Sequence, residues 1–422
     1  MNKFTIKRMD NKVPLYLIPM NEAKTATIVF MFKTGSKYET RANSGISHFL
    51  EHLFFKGTKK RPDTATISSE LDSLGCEFNA FTSKEYTGYY IKVASTKIVA
   101  AIKILGDMLL NSLFDEQEIE REKGVIIEEL NMYEDNPLMH IEDVFESCLY
   151  GDTPAGWDTI GTKKNIMNFK RQDLLDYFSK QYGSNSLSVI LAGKIKTKDK
   201  VVLEKIIKQF KNNSWQDKLK VEENQKQAKI KTVYKTVDQV AVSLGVRTVE
   251  IGHPLELKLK LLASILGGSM SSRLFIRLRE RNGLAYYVRT SNEFYSDSGY
   301  LTTQAGVPKT KVKEAIKIIL EEYQRMKTEK ISEKELKKVK DLLAGRMILK
   351  LDDSEEIASW YARQAILRKD ILSPAEVLRE MRKISAKDLQ KVAQKFLVEK
   401  NLNLALIGRI KDQDFASLLH LK

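Results

Sequence analysis

Two histidines four residues apart, with a glutamate between them, are the residues of this sequence best suited to do chemistry. His48, Glu51 and His52 stand in the segment HFLEH, and only five histidines occur among the 422 residues. At about 100° per residue, a helix would place His48 and His52 on one face with Glu51 beside them. Imidazole pairs bind zinc, and a neighbouring carboxylate can act as a base toward water. The spacing therefore predicts a hydrolytic zinc site with one Zn²⁺ per chain.

A third protein ligand must come from another segment, and an acidic helix later in the chain offers candidates. In EREKGVIIEEL, Glu122 and Glu129 are seven residues apart, so two helical turns bring them close to one face. This spacing favours Glu129 as the third zinc ligand and Glu122 as the group that orients a ligand histidine by a hydrogen bond. Acidic residues are frequent in this helix, so the adjacent Glu128 stays open as an alternative ligand. A plainer interpretation of the first motif also stays open, namely two ordinary helix histidines beside a surface glutamate.

The composition is that of a globular chain with more than one domain. Apolar residues occupy 42% of the 422 positions, and this length corresponds to about two to four domains. No run of residues approaches the roughly 18 apolar positions that a membrane helix needs, so no membrane span is expected. Cys76 and Cys148 are too few for a disulfide framework and indicate a reducing compartment, which predicts a cytoplasmic protein.

The chain is basic, with 70 Lys and Arg against 55 Asp and Glu, a formal net charge of +15. Such a balance raises the possibility of an anionic partner, either a nucleic acid or a membrane surface. The basic residues, however, are interleaved with glutamates in helical stretches such as residues 334–340, a pattern typical of solvated helix faces. We therefore expect no nucleic-acid partner. An anionic-surface binder, which requires a clustered basic face, is a weaker alternative.

An internal repeat organises the chain. Residues 114–129 align with residues 331–346, and residues 172–195 align with residues 387–410. In the first alignment, Asp115 and Ser332 stand where helix-capping residues are expected, and Arg346 occupies the position of Glu129. A polar stretch lies between the copies. The repeat predicts a zinc-binding domain over 1–215, a linker over 216–230 and a homologous metal-free domain over 231–422.

The hydropathy pattern gives each half the same kind of structure. Alternating segments at residues 25–32, 89–93 and 187–192 predict strands, and long amphipathic segments at 96–113 and 312–327 predict helices. The expected fold class is α+β, with a mostly antiparallel sheet in each half and helices packed on one face.

Four segments distributed over nearly the whole chain carry a resemblance to a known family: GSKYETRANSGISHFLEHLFFKGT, LGCEFNAFTSKEYTGYYIKV, EREKGVIIEEL and LGGSMSSRLFIRLRERNGLAYYV. In these segments the chain resembles the M16 family of inverted zinc metallopeptidases, in particular its two-domain bacterial and processing-peptidase branch. The resemblance implies that His48, His52 and Glu129 hold the metal, that Glu51 is the catalytic base and that Glu122 is a supporting acid.

The same resemblance implies how a substrate would be bound. Arg279 and Tyr286 would contact the substrate backbone and steady the oxyanion of the transition state, a charge that amide hydrolysis must stabilise in any case. Asn79, Ala80 and Phe81 would belong to an edge strand to which an extended peptide adds as a further strand. The residues alone favour a different interpretation of Asn79 and Phe81, as turn and core residues.

The function implied is a zinc-dependent endopeptidase that hydrolyses unfolded peptides or oligopeptides within a chamber between the two halves. Because a chain of this length carries two domains, the resemblance also implies pairing, as a homodimer or as a heterodimer with a metal-free homologue. The alternative is a catalytically silent scaffold subunit. In such subunits the metal motif is eroded, whereas His48, Glu51, His52 and Glu129 are all present here.

Overall fold

The computed structural model describes residues 4–410 and 415–421 and divides the chain into two compact units. Each unit is discontinuous in sequence. The first unit comprises Met1–Leu130, Trp157–Leu219 and Met347–Ile371, and the second comprises Asn131–Gly156, Lys220–Arg346 and Leu372–Lys422. Each unit thus takes a segment of about one helix from the other half of the sequence.

The strands and helices alternate in a similar order in the two halves. The strands are β1 (Thr5–Arg8), β2 (Pro14–Pro19), β3 (Thr25–Phe32), β4 (Glu77–Thr82), β5 (Thr87–Ala94), β6 (Leu187–Gly193), β7 (Lys229–Tyr234), β8 (Gln239–Arg247), β9 (Tyr287–Phe294), β10 (Gly299–Pro308) and β11 (Leu402–Gly408). The α-helices are α1 (Ile46–Leu53), α2 (Thr64–Leu74), α3 (Ile98–Asn111), α4 (Glu116–Asp135), α5 (Pro137–Tyr150), α6 (Lys163–Asn168), α7 (Arg171–Gln181), α8 (Thr197–Ile207), α9 (Glu256–Gly267), α10 (Val312–Thr328), α11 (Glu333–Lys350), α12 (Ser354–Leu367), α13 (Pro374–Lys383) and α14 (Ala386–Phe396). A π-helical segment covers Phe275–Arg281, and short 3₁₀ turns cover Ser36–Tyr38, Ser95–Lys97, Lys309–Lys311, Glu399–Asn401 and Ala416–Leu418.

The two sheets share one topology. The first has the strand order β1-β2-β6-β3-β5-β4 and the second has β7-β11-β8-β10-β9. Apart from β1, each strand of the first sheet has a counterpart in the second. The pairs β2–β6 and β7–β11 are parallel, and the remaining pairs are antiparallel. The α+β class, the mostly antiparallel sheets and the two homologous domains are therefore confirmed.

Helices cover both faces of each sheet, which differs from the one-face prediction. In the first unit, Phe30 and Phe32 of β3 face one side and contact Phe210, and helix α3 packs on β3 and β5. The alternate residues Val29 and Met31 face the other side and form a core with α12. In the second unit α5 packs on β8 and β11 in the same way. Amphipathic periodicity shows that a helix has an apolar face, but it does not show which sheet that face meets.

The segment between the halves is irregular but anchored. Residues 211–228 contain neither helix nor strand, and β7 begins at Lys229, inside the predicted linker of 216–230. Trp215 donates its indole N–H to the Lys33 carbonyl (2.9 Å) within the first unit, and Gln225 donates to the Leu402 carbonyl (3.1 Å) within the second. No helix among the described residues is long and apolar enough to cross a membrane.

Candidate metal centre

Helix α1, which carries the predicted metal ligands, is held at its start by a buried carboxylate. Glu39 accepts hydrogen bonds from the backbone N–H groups of Gly45 (2.7 Å) and Ser47 (2.9 Å). These bonds satisfy donors that have no partner within the helix. Gly45 has φ +98°, and a Cβ there would lie 2.3 Å from the Ile160 carbonyl oxygen, so glycine is required. Burial raises the pKa of Glu39 to about 7, although the two backbone hydrogen bonds oppose the shift.

The two histidines lie on one face of α1, as their spacing predicts. Their ring centroids are 4.8 Å apart and the ring planes are inclined by 61°. The opposite face of the helix is anchored in the core by the buried side chains of Phe49, Leu50 and Leu53. His48 is itself buried, whereas His52 is partly exposed.

Helix α4 brings two carboxylates to these histidines. It begins after Asp115, whose carboxylate accepts from the N–H groups of Gln117 and Glu118, as the capping prediction requires. Glu129 lies 3.3 Å from Nε2 of His52 and 3.6 Å from Nε2 of His48. Glu128, the alternative ligand, is exposed and lies outside this group.

Glu122 takes the position that the spacing suggests for a supporting acid. One of its carboxylate oxygens lies 3.1 Å from His52 Nδ1, and the other lies 2.5 Å from the Lys56 ammonium group. This contact leaves Nε2 of His52 directed toward Glu129. A carboxylate on the second ring nitrogen is the usual support for a metal-binding histidine.

The donor set fits a zinc ion. One ligand atom from each of His48, His52 and Glu129 lies within 4.8 Å of the others. Two imidazole nitrogens and one carboxylate form a set that catalytic zinc sites use, with a further position left for water or substrate.

The electrostatics of the group favour a positive charge between the imidazoles. Burial alone would lower the pKa of His52, but hydrogen bonds to Glu122 and Glu129 and the charge of Glu51 raise it to about 9. Hydrogen bonds from both histidines hold the pKa of Glu129 well below its usual range. Burial would raise the pKa of Glu122, yet its contacts with His52 and Lys56 lower it. A divalent cation would benefit from the same negative field.

The sequence does not predict a role at the metal centre for two of its neighbours, Thr82 and Lys56. The Thr82 hydroxyl donates to a Glu51 carboxylate oxygen at 2.6 Å, across 31 residues of sequence. No sequence signal links these two positions. Lys56 lies three residues beyond the end of α1, so helical spacing does not predict its contact with Glu122 either.

The predicted peptide-binding strand lies at a sheet edge. β4 pairs with β5 and ends the strand order of the first sheet, so one side of its backbone pairs with no other strand in the part of the chain that the structure describes. Asn79 is exposed, and its side-chain oxygen accepts from the Ala80 N–H at 2.9 Å. Ala80 is buried, and Phe81 packs edge-on against Tyr86 with ring centroids 6.0 Å apart. Their role toward a peptide stays a prediction.

In the second unit, the structure brings Arg279 and Tyr286 together. Arg279 donates to the Tyr286 carbonyl (3.1 Å), and its guanidinium carbon lies 4.5 Å from the centre of the Tyr286 ring. The Tyr286 side chain is 77% exposed. The pair is thus a solvent-facing group of hydrogen-bond donors, and its contact with substrate stays a prediction.

Comparison with known proteins identifies the family. Residues 16–163 match the model described as Insulinase (Peptidase family M16), and residues 168–343 match the model described as Peptidase M16 inactive domain. A Bacillus subtilis protein named uncharacterized zinc protease YmxG is 33% identical over 401 residues, covering 94% of this chain and 96% of that protein. An uncharacterized zinc protease of Rickettsia felis is 34% identical over 402 residues, covering 93% and 94%.

Solved structures agree on the fold. A protease from Helicobacter pylori superposes with a TM-score of 0.91 at 23% identity, covering 97% of this chain and all of that one. A Pseudomonas fluorescens structure described as a peptidase M16 inactive domain has a TM-score of 0.90 at 17% identity, with full coverage of both chains. The two matched family models and the two relatives above 30% identity lead to one conclusion: the chain belongs to peptidase family M16, in its two-domain bacterial form.

Proposed function

We propose that this chain is a zinc-dependent endopeptidase that hydrolyses unfolded peptides or oligopeptides. The observation that carries the proposal is the group formed by His48, His52 and Glu129, with Glu51 on the same helix as the histidines. The names of the relatives, which are zinc proteases, support the metal and the class of reaction.

Each residue of the centre has a separate role in amide hydrolysis. His48, His52 and Glu129 would hold the ion, and Glu122 orients His52 through Nδ1. When bound, zinc supplies Lewis acidity, which polarises a peptide carbonyl and makes the attacking water more acidic. Glu51 takes the proton of that water on the carboxylate oxygen that does not accept from Thr82, and then passes a proton to the leaving amine.

The substrate contacts are proposed from the family resemblance. Arg279 and Tyr286 would bind the peptide backbone and donate to the oxyanion, and the open edge of β4 at Asn79, Ala80 and Phe81 would pair with an extended peptide. Enclosure of the peptide in a chamber between the halves, pairing as a homodimer and a cytoplasmic location belong to the same proposal. Both cysteines are free thiols, in keeping with a reducing compartment.

The alternative function is a silent scaffold subunit. The model matched by residues 168–343 describes an inactive domain, which favours this alternative for the second half of the chain. The first half, which carries the complete donor set, favours an enzyme. Measurement of turnover separates the two functions.

The decisive experiment compares the zinc-loaded wild type with the Glu51→Gln variant on an unstructured fluorogenic peptide. We expect turnover to fall by about 100-fold to 10,000-fold, because the variant keeps the shape of the side chain and loses the base. Zinc content should be unchanged, and Glu128→Gln, the same change at an exposed position, should retain full turnover. Cleavage by Glu51→Gln at the wild-type rate would exclude this residue as the base, and an inactive zinc-loaded wild type would favour the scaffold.

A further inference from the structure

The carboxylate of Glu51 makes one hydrogen bond to another side chain within residues 4–410 and 415–421. Its partner is the hydroxyl of Thr82, with 2.6 Å between Thr82 Oγ1 and Glu51 Oε2. The threonine hydroxyl is the donor and the carboxylate oxygen is the acceptor. The distance is that of a short, charge-assisted hydrogen bond.

This hydrogen bond fixes the orientation of the Glu51 carboxylate, which could otherwise rotate about its terminal torsion. The terminal torsion of a glutamate is broad, so packing of the side-chain stem does not fix the direction of the two oxygens. A donor on Oε2 fixes the carboxylate plane and leaves Oε1 to accept a proton. A general base is effective only when the accepting oxygen lies within hydrogen-bond reach of the proton it removes.

Thr82 is placed on a rigid support. It is the last residue of β4 and pairs with Thr87 across the hairpin. The following turn is tied back to the chain by the bonds Ser36 N–H to Ser83 carbonyl (3.2 Å) and Lys37 N–H to Lys84 carbonyl (2.8 Å). A support of this kind holds a hydroxyl in place better than a free loop does.

We propose that Thr82 is a positioning residue for Glu51, a role that rests on the proposed peptidase function. Its hydroxyl holds the carboxylate of the base so that Oε1 faces the attacking water. Since Thr82 also ends the edge strand β4, a peptide that adds to this strand would lie directly beside the oriented base.

The test uses the full-length, zinc-loaded protein and the variants Thr82→Val and Thr82→Ser. Valine keeps the shape of threonine and removes the donor, whereas serine keeps the donor. We expect Thr82→Val to lower kcat by about 10-fold to 100-fold, the range for losing one hydrogen bond to a charged group, with KM and zinc content unchanged. The kcat of Thr82→Ser should stay within about 3-fold of the wild-type value, because serine keeps the hydrogen bond to the carboxylate and a loss of this size is smaller than that caused by removing a hydrogen bond to a charged group.

Two comparisons separate positioning from a general structural effect. Thr87→Val, the cross-strand neighbour whose hydroxyl donates to the Thr34 carbonyl at 3.1 Å, should leave kcat unchanged. In the Glu51→Gln background, Thr82→Val should cause no further loss, because the group that it positions is already without its function. Crystal structures should show one carboxylate orientation of Glu51 in the wild type and a displaced one in Thr82→Val.

The outcomes that overturn the inference are distinct. Wild-type kcat in Thr82→Val, an equal loss in Thr82→Ser, or an unmoved Glu51 carboxylate in the Thr82→Val crystal would each remove Thr82 from this role while leaving the peptidase in place. An inactive zinc-loaded wild type would instead overturn the proposed function, and the role of Thr82 with it.

Discussion

The two sheets of this protein have the same strand topology but carry different chemistry. Glu129 on α4 and Arg346 on α11 occupy the same position counted from the first residue of their helices. Glu129 approaches two histidines, whereas Arg346 donates to the Gly268 carbonyl at 2.9 Å. The repeated scaffold therefore does not determine the chemistry. A few side chains on equivalent helices determine it.

The units are alike in a second respect, since each has one sheet face covered by a helix from the other half of the sequence. Tyr361 and Ala358 of α12 are fully buried against the first sheet, and Phe145 of α5 is fully buried against the second. We therefore expect that the duplicated halves do not fold independently, although the sequence repeats as if they did.

The largest effect is expected from cutting the chain within the linker. Fragment 1–219 keeps β3 and β6 but loses α12, so Val29, Met31 and Ile190 lose the helix that covers them. Fragment 220–422 loses α5 in the same way. We expect each fragment alone to be insoluble or to lack cooperative unfolding, because a large apolar sheet face is exposed. Co-expression should restore soluble protein, measured by purification yield and thermal unfolding.

A stable fragment 1–219 with a cooperative unfolding transition would contradict this expectation. It would mean that the first sheet tolerates the loss of α12, and that the helix exchange between the halves contributes little to stability.

The next largest effect is expected on zinc affinity, which should depend on Glu129 but not on Arg346, its counterpart on α11. Glu129→Gln should lower zinc affinity by more than the roughly 10-fold to 100-fold expected for loss of an outer hydrogen-bond partner, the range that applies to Glu122→Gln. Arg346→Gln and Glu128→Gln should leave zinc affinity unchanged, since neither residue belongs to the group of His48, His52 and Glu129. Competition titration with a zinc chelator measures all four variants. Equal losses in Glu128→Gln and Glu129→Gln would contradict the ligand assignment.

The smallest expected effect is a pH dependence of stability that originates at Glu39. The pKa of this buried carboxyl is raised from 4.5 to about 7, so the folded protein binds a proton that the unfolded chain has already released. The contribution of the group to stability is therefore complete below pH 4.5 and is lost as the pH rises through about 7. Between pH 4.5 and pH 7 the loss of stability is up to about 3.5 kcal/mol, at roughly 1.4 kcal/mol per pKa unit.

The Glu39→Gln variant should lack this decrease of stability with rising pH, because glutamine does not titrate. Denaturant unfolding at pH 5 and pH 7.5 should show the wild type losing stability relative to the variant as the pH rises. A parallel response of the two proteins would show that Glu39 titrates near its ordinary pKa despite its burial.

The sequence was sufficient to predict those features of the candidate site that depend on near neighbours in the chain. Helical geometry acts over one or two turns, so the spacing of His48 and His52, and of Glu122 and Glu129, was sufficient to predict a shared face on each helix. The capping role of Asp115 and the strand at 25–32 were predicted correctly for the same reason, because both depend on near neighbours in the chain.

Contacts between residues far apart in sequence became known only from the tertiary structure. The contact between Thr82 and Glu51, the approach of Glu129 to the two histidines, and the packing of α12 on the first sheet all join segments far apart in sequence. An amphipathic helix needs an apolar surface to pack against, and a buried carboxylate needs a hydrogen-bond donor. Neither requirement identifies which surface or which donor is used. The packing of the whole chain selects the partner, because many surfaces satisfy the local rule and only one arrangement buries all of them together.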